Sequence, residues 1–274
     1  MPELPEVETI RRGIEPVITG KKITAVHILE TRLRRPVNEG DFEKWVTGQT
    51  ITGVGRRSKY LLLNMSNGAT LLIHLGMSGH LGLFAPDAPL DKHTHIIFDL
   101  ENNIQVRYRD PRRFGLLEVA PPGAPAEYAS LAGLGPEPLS AEFNGASLAE
   151  ALAKSGRAIK VALLDMRVAA GVGNIYANEA LFAAGIDPRR LCRDLSAAEF
   201  DALAAAVKAT LSRAIAQGGT TLNDYRNALG EAGFFQLELA VYERDKQPCL
   251  KCGAVIERVV LGGRSSYFCP CCQR

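Results

Sequence analysis

The stretch ITGVGRRSKYLLLNMSNGATLLIHL, residues 51–75, holds three apolar runs at 51–54, 60–65 and 70–75, separated by polar breaks rich in glycine, serine and asparagine. Runs this short are too brief for ordinary helices, and the breaks between them carry turn chemistry, so the stretch predicts three successive strands. The same grammar continues outward at 23–29, 95–100, 104–108 and 116–119. Seven or more short strands in the first 120 residues read as a β-sandwich or barrel. Pro5 and residues 6–14 predict one early helix ahead of them.

After Pro121 the punctuation becomes dense, with Pro122, Gly123, Pro125, Gly133, Gly135, Pro136 and Pro138, and this is the expected domain boundary. Beyond it alanine and leucine dominate. The run 147–153 reads as a helix, and 196–217 reads as a longer one. The longer helix opens with Ser196 and Glu199 at capping-box spacing, repeats Phe200, Leu203, Val207, Leu211 and Ile215 at helical spacing, and stops at Gly218 and Gly219. From Leu237 alternation returns and predicts extended structure. The chain is thus read as α+β, with an N-terminal β-sandwich at 1–130, a linker at 131–145, a helical domain at 146–236 and a terminal module at 237–274.

The 274 residues are 46% hydrophobic and 23% charged, which excludes disordered and fibrous classes. No run approaches the roughly 18 apolar residues of a membrane span, and the start MPELPEVETIRR has acids where a signal peptide needs cations and then an apolar stretch. A cytoplasmic location with no membrane partner is expected. The formal charge is only +2, so a nucleic-acid surface requires local clustering of cations.

Five of the six cysteines fall within the last 26 residues. Cys249-x2-Cys252, sixteen residues and Cys269-x2-Cys272 place four thiolates at the spacing that surrounds one zinc ion tetrahedrally, and a closed four-sulfur shell leaves no position for substrate. One structural Zn²⁺ is expected. Cys271 either competes as a ligand or is exposed, and Cys192 stands apart. Between the pairs, Gly262-Gly263 sits between two extended runs as a hairpin turn, with Arg264 just past it. The spacing suits a generic zinc ribbon as well as a DNA-binding finger. Lys251, Arg258, Arg264 and Arg274 against Glu257 incline it toward the latter.

Three basic clusters lie in the β half: Arg32, Arg34, Arg35; Arg56, Arg57, Lys59; and Arg107, Arg109, Arg112, Arg113 with Tyr108 and Phe114 interleaved. A solvated strand face accounts for any one of them, but three in a nearly neutral chain favour phosphate binding. Gly171-Val-Gly-Asn174 before a helical run offers a glycine turn whose N–H groups suit a phosphate. At the N-terminus, Pro2 permits removal of Met1 and exposure of a secondary amine. With reference pKa values near 8 for an α-amine and about 10.4 for lysine, roughly a quarter of such an amine is neutral near pH 7.5, against about a thousandth for lysine. Its adduct with an aldehyde is a cationic iminium, an electron sink, and Glu3 and Glu6 lie close by in sequence.

Seven segments together, MPELPEVETIRRG at 1–13, RRSKYLLL at 56–63, HLGMSG at 74–79, DPRRFG at 110–115, GVGNIYANEALF at 171–182, GGTTL at 218–222 and the four-cysteine module, resemble the formamidopyrimidine-DNA glycosylase family, bacterial base-excision enzymes for oxidised purines. The resemblance runs in order along the whole chain. It implies a helix-two-turn-helix motif in the helical domain and a β-hairpin zinc finger, with DNA lying across a cleft between the halves. It implies Pro2 as Schiff-base nucleophile, Glu3 as its acid/base partner, Lys59 as an assistant at the base and in elimination, and Arg264 as the finger arginine that grips phosphate. His74, Lys160 and Asn174 resemble further backbone contacts, and His93 and Arg157 are expected to contact DNA too. Met77, Arg112 and Phe114 resemble the residues that fill the hole left by a flipped base. The implied partner is double-stranded DNA containing oxidised purines or abasic sites, cut by β,δ-elimination, and the protein is expected to be a monomer near the bacterial nucleoid. The related endonuclease VIII branch, which prefers oxidised pyrimidines, usually begins MPEGPE, so Leu4 and the full DPRRFG favour the purine branch. A non-catalytic zinc-finger DNA-binding protein explains the finger and the basic clusters but leaves Pro2, Glu3 and Lys59 without a role.

Overall fold

The computed structural model describes residues 2–124, 128, 130–220 and 233–274. Met1, and Thr221 and Leu222 of the GGTTL segment, lie outside them. The chain forms two compact units, one of residues 1–132 and 217–234, the other of 133–216 and 235–274.

The first unit opens with α1 (Leu4–Ile18), followed by β1 (Ile23–Ile28), α2 (Glu39–Trp45), β2 (Ile51–Arg57), β3 (Tyr60–Met65), β4 (Thr70–His74), β5 (His80–Phe84), β6 (Thr94–Leu100), β7 (Gln105–Arg109) and β8 (Leu116–Ala120). Two antiparallel sheets, ordered β1-β6-β7-β5 and β2-β3-β4-β8, share one hydrophobic core, which makes the unit a β-sandwich with an early helix. In β3 the side chains of Leu61, Leu63 and Met65 are buried while Asn64 is exposed, the period-two alternation of a strand covered on one face. In α1, Leu4, Val7, Ile10, Ile14 and Ile18 recur at helical spacing and are fully buried, each contributing about 1.5–3 kcal/mol of hydrophobic stabilisation. The predicted helix 6–14 is therefore longer at both ends. Two elements were not expected: α2, a mostly polar turn capped by Asn38 that buries only Phe42, and β5, whose apolar pattern is interrupted by Gly82.

The second unit contains α3 (Gly145–Leu152), α4 (Ile159–Leu163), α5 (Asn174–Ala184), α6 (Ala197–Ala216), β9 (Glu257–Leu261) and β10 (Arg264–Phe268). The reciprocal Ser196–Glu199 cap read from sequence is present: Ser196 N–H donates to the Glu199 carboxylate at 2.8 Å. Gly262 and Gly263 both have positive φ between the paired Leu261 and Arg264, the type I′ geometry of a two-residue hairpin. The extended structure expected from Leu237 begins only at Glu257. The N–H groups of Ala240, Val241 and Tyr242 all donate to the Glu179 carboxylate, so they are taken by a side chain instead of a strand ladder. Among the described residues no helix is long and apolar enough to cross a membrane.

Candidate active site and metal centre

Pro5 lies in the first turn of α1, where its missing N–H costs no hydrogen bond, and Glu3 occupies the N-cap in extended conformation. Glu6, three residues on, accepts the Glu3 N–H at 2.7 Å through one carboxylate oxygen and the Thr220 N–H at 2.8 Å through the other. Pro2 and Glu3 are buried, Glu3 with 3% of its surface exposed.

Lys59 sits in the two-residue turn between β2 and β3, 6% exposed, preceded by Ser58, which is fully buried at a φ of 55°. A non-glycine residue held there costs about 1 kcal/mol or more, and such strain gathers at functional sites. Arg56 ties this turn to α1: its Nη1 donates to the Ser58 carbonyl at 2.8 Å and its Nε to Glu8 at 3.2 Å. Burial pushes the Glu8 carboxyl up, but hydrogen bonds from Arg11 and Arg12 outweigh it and hold the group below the usual carboxylate range. The start of α1, the Lys59 turn and Thr220 are thereby braced together within the first unit.

Beside the Lys59 turn, His74 ends β4 with its ring 4.8 Å from that of Tyr60. Burial, then the charges of Lys59 and Arg34, lower its pKa to about 4, so the ring is neutral at physiological pH. Nδ1 accepts the Gly76 N–H at 2.9 Å, which leaves the ring proton on Nε2 as a donor. The folded state binds this proton less tightly than an unfolded histidine of pKa near 6.5, so its stability contribution is complete above that pH and is lost as pH falls toward about 4. His74→Gln is expected to flatten the acid limb of a Tm-against-pH curve in that window; an unchanged limb would show that His74 titrates normally.

Met77 and Phe114 are 43% and 45% exposed, and the exposed Arg112 guanidinium lies 4.7 Å from the Phe114 ring. His93 is half-buried, and its carbonyl accepts the Asp110 N–H at the base of the same segment. Much of the basic clustering is neutralised within the fold. Arg32 and Arg113 pair with Glu30, Arg35 with Glu118, Arg56 with Glu8 and Arg109 with Asp91, while Arg107 is buried against backbone carbonyls. Among the described residues Arg34 and Arg112 form no ion pair, so the clusters offer fewer cations than the sequence suggests.

In the second unit, the Lys160 ammonium donates to Asn174 Oδ1 at 2.5 Å and to the Ser265 carbonyl at 3.1 Å, and Asn174 Nδ2 donates to the same carbonyl at 3.1 Å. This gathers Lys160, Asn174 and the exposed Arg264 of the neighbouring hairpin position. Arg157 donates to Asp165 at 2.9 Å. Sequence reasoning missed Asn178 and Glu179, which sit in the quoted GVGNIYANEALF motif. Asn178 Oδ1 accepts the Tyr267 N–H at 2.7 Å, fixing β10 on α5. Glu179, pushed up by burial against three opposing N–H bonds, anchors the entry to the finger.

The Sγ atoms of Cys249, Cys252, Cys269 and Cys272 lie within 4.8 Å of one another. Tetrahedral zinc with bonds of about 2.3 Å requires sulfurs about 3.8 Å apart. Pairs at 3.4 and 4.0 Å fit, and the N–H groups of Lys251 and Cys272 point at Cys249 and Cys269 sulfur as in zinc knuckles. The donor set is all sulfur and closed, so the module binds one structural zinc. Cys271 is exposed and outside the set. Cys192 is buried, and burial pushes its thiol up.

The profile of the formamidopyrimidine-DNA glycosylase N-terminal domain matches residues 1–117, that of the formamidopyrimidine-DNA glycosylase H2TH domain residues 134–226, and a zinc finger found in FPG and IleRS residues 246–274. Formamidopyrimidine-DNA glycosylases of Laribacter hongkongensis and Methylococcus capsulatus are each 50% identical to the chain, with 100% of both sequences covered. The Lactococcus lactis Fpg, solved with DNA containing an abasic site, superposes with a TM-score of 0.92 at 36% identity over 100% of both chains. MutM (Fpg) from Thermus thermophilus gives 0.87 at 41% identity over 99% of this chain and 98% of that one. With sandwich, helical unit and finger all matched in order, the chain belongs to the formamidopyrimidine-DNA glycosylase family.

Proposed function

We propose that the protein is a bifunctional base-excision enzyme that removes oxidised purines, 8-oxoguanine and formamidopyrimidines, from duplex DNA and then cuts the strand at the abasic site. The observation that carries this is the buried Pro2-Glu3 start at the N-cap of α1, braced to the turn that holds a buried lysine. The Pro2 nitrogen, freed of Met1, attacks C1′ of the damaged nucleotide; the bond to the base breaks and the base leaves with its electron pair and a proton. The Pro2 nitrogen loses its proton, the C1′–O4′ bond breaks as O4′ takes one up, and the opened sugar is left as a C1′=N⁺ iminium that acidifies C2′–H; Glu3, assisted by Lys59, handles the protons in these steps. Loss of the C2′ proton expels the 3′ phosphate by β-elimination, and δ-elimination then expels the 5′ phosphate. No water attacks phosphorus. Release of free base from an 8-oxoguanine duplex, with a gap bearing phosphate at both ends, tests this reading. Tight specific binding with intact DNA would favour a non-catalytic DNA-binding protein instead.

The partner under this reading is double-stranded DNA carrying oxidised purines or abasic sites, bound by a cytoplasmic, nucleoid-associated monomer. The working parts are the sandwich at 1–130, a linker at 131–145, the helical domain at 146–236 and the finger at 237–274. His74, Lys160, Asn174 and Arg264 serve the phosphate backbone, His93 and Arg157 contact DNA, and Met77, Arg112 and Phe114 enter the stack where the base has left. Phosphate contacts carry no sequence information, so Arg264→Ala is expected to weaken damaged and undamaged duplex alike and to lower the salt slope of binding by about one. Arg112, opposite the vacated position, reads the orphan cytosine. Arg112→Ala is expected to bring excision rates opposite cytosine and adenine closer by about tenfold, the scale of one base contact. An unchanged ratio would remove Arg112 from the reading role.

A further inference from the structure

The segment 110–115 that joins β7 to β8 exposes residues 111–114, yet Asp110 at its start is fully buried. Its carboxylate collects four neutral donors. Oδ1 accepts the Ser78 hydroxyl at 2.6 Å and the Arg112 N–H at 3.3 Å, and Oδ2 accepts the Tyr108 hydroxyl at 3.1 Å and the Gly115 N–H at 2.8 Å. The Asp110 backbone is held as well: its N–H donates to the His93 carbonyl at 3.0 Å, and its carbonyl lies 2.8 Å from His95 Nε2. Among the described residues the carboxylate has no cationic partner. A buried charge without a counter-ion is expensive, and here hydrogen bonds alone compensate it.

The four donors come from two different loops and the strand beneath them. Ser78 belongs to the 75–79 turn that exposes Met77, while Arg112 and Gly115 belong to the segment that exposes Arg112 and Phe114. The loops also approach at the backbone: a Cβ on Gly76 would collide with the Phe114 carbonyl, and one on Gly115 with the carbonyl of His74, which leads into the 75–79 turn. Three exposed side chains of no shared secondary structure are thus fixed with respect to one another around one buried carboxylate and the Ser78 hydroxyl, which also accepts the Arg112 N–H at 3.3 Å.

We propose that Asp110 is a positioning residue that locks Met77, Arg112 and Phe114 into one duplex-invading wedge; this rests on the role given to those three residues above. Asp110→Asn keeps the volume but turns one acceptor into a donor, which in either amide orientation faces a backbone N–H that cannot rotate away, that of Gly115 or that of Arg112. Ser78→Ala removes the two links of the Ser78 hydroxyl to the other loop, its bond to the Asp110 carboxylate and the one it accepts from the Arg112 N–H at 3.3 Å, and leaves Asp110 in place. The substrates are a duplex with 8-oxoguanine opposite cytosine or adenine, and a single-stranded oligonucleotide with an abasic site, which has neither a stack to open nor an opposite base.

With Asp110→Asn, borohydride trapping on the duplex is expected to slow by about 10- to 100-fold, the scale of one or two lost bonds to a charged group, and the cytosine-over-adenine preference to shrink. Trapping on the single strand is expected to stay within about twofold, because a Schiff base at Pro2 needs no wedge. Ser78→Ala should show the same split, more weakly. Unchanged duplex trapping and preference in Asp110→Asn would overturn the inference, as would an equal loss on both substrates, which marks a general effect on the fold. If the unaltered protein traps neither substrate, the Schiff-base reading falls and takes this one with it; if it traps both and Asp110→Asn matches it, only this inference falls.

Discussion

Borohydride added while the protein acts on an 8-oxoguanine duplex is expected to leave DNA covalently joined to residue 2, one strand per chain. The iminium formed by a secondary amine has no neutral imine form, so it persists as an electron sink and is open to hydride. A mature protein that retained Met1 would present an amide nitrogen at Pro2, so mass spectrometry should find the adduct on a chain lacking Met1. Pro2→Gly keeps a primary amine and is expected to retain partial activity. Glu3→Gln preserves shape at the N-cap but removes a proton-transfer group, and base excision should fall by about 10²- to 10⁴-fold, while DNA affinity changes little. Chelators that leave the finger folded should leave the chemistry intact. Strand nicking without any adduct would sink the Schiff-base mechanism in favour of hydrolysis at phosphorus.

Where local pattern decided structure, the sequence was readable. The spacing of Val7, Ile10, Ile14 and Ile18 carries one face of α1 into the core, Leu61, Leu63 and Met65 mark β3, and Gly262-Gly263 forms the turn its glycines allow. Cysteine spacing likewise anticipated the four-sulfur cluster and left Cys271 undecided, because adjacent thiols differ only in where the knuckle turns them. Contacts distant in sequence were not readable. Arg56 meets Glu8 across 48 residues and Arg35 meets Glu118 across 83, so the charge counted in the basic clusters is largely neutralised by partners no window contains. Glu179 and Asp110 were overlooked for the same reason: an acid in a helical or loop pattern reads as solvated until the N–H groups that converge on it are in place. Roles for Pro2 and Lys59 came from chemistry plus resemblance, since nothing in periodicity distinguishes a buried lysine in a tight turn from an exposed one.

Removing one zinc ligand is expected to have the second large effect. The hydrophobic cluster under the finger consists of Val241, Cys249, Ile256, Tyr267 and Cys269, and two of these five are themselves ligands. So small a core cannot offset the roughly 1–2 kcal/mol per residue needed to order the chain, and a two-stranded hairpin is marginal alone. Structural zinc supplies an apparent 10–16 kcal/mol, about enough to decide whether the module folds. Cys252→Ala should therefore fall from one zinc per chain to a small fraction. The bonds that place β10, from Tyr267 N–H to Asn178 and from Lys160 and Asn174 to the Ser265 carbonyl, require an ordered hairpin and should be lost with the metal. Arg264 then has no fixed position, so affinity for duplex should drop and its salt slope decrease, as in Arg264→Ala but more deeply. Cys271→Ser, outside the cluster, should leave zinc content and binding unchanged. Stoichiometric zinc in Cys252→Ala would show that the wrong sulfur was assigned; loss of zinc with unaltered DNA binding would show that the finger is not part of the interface.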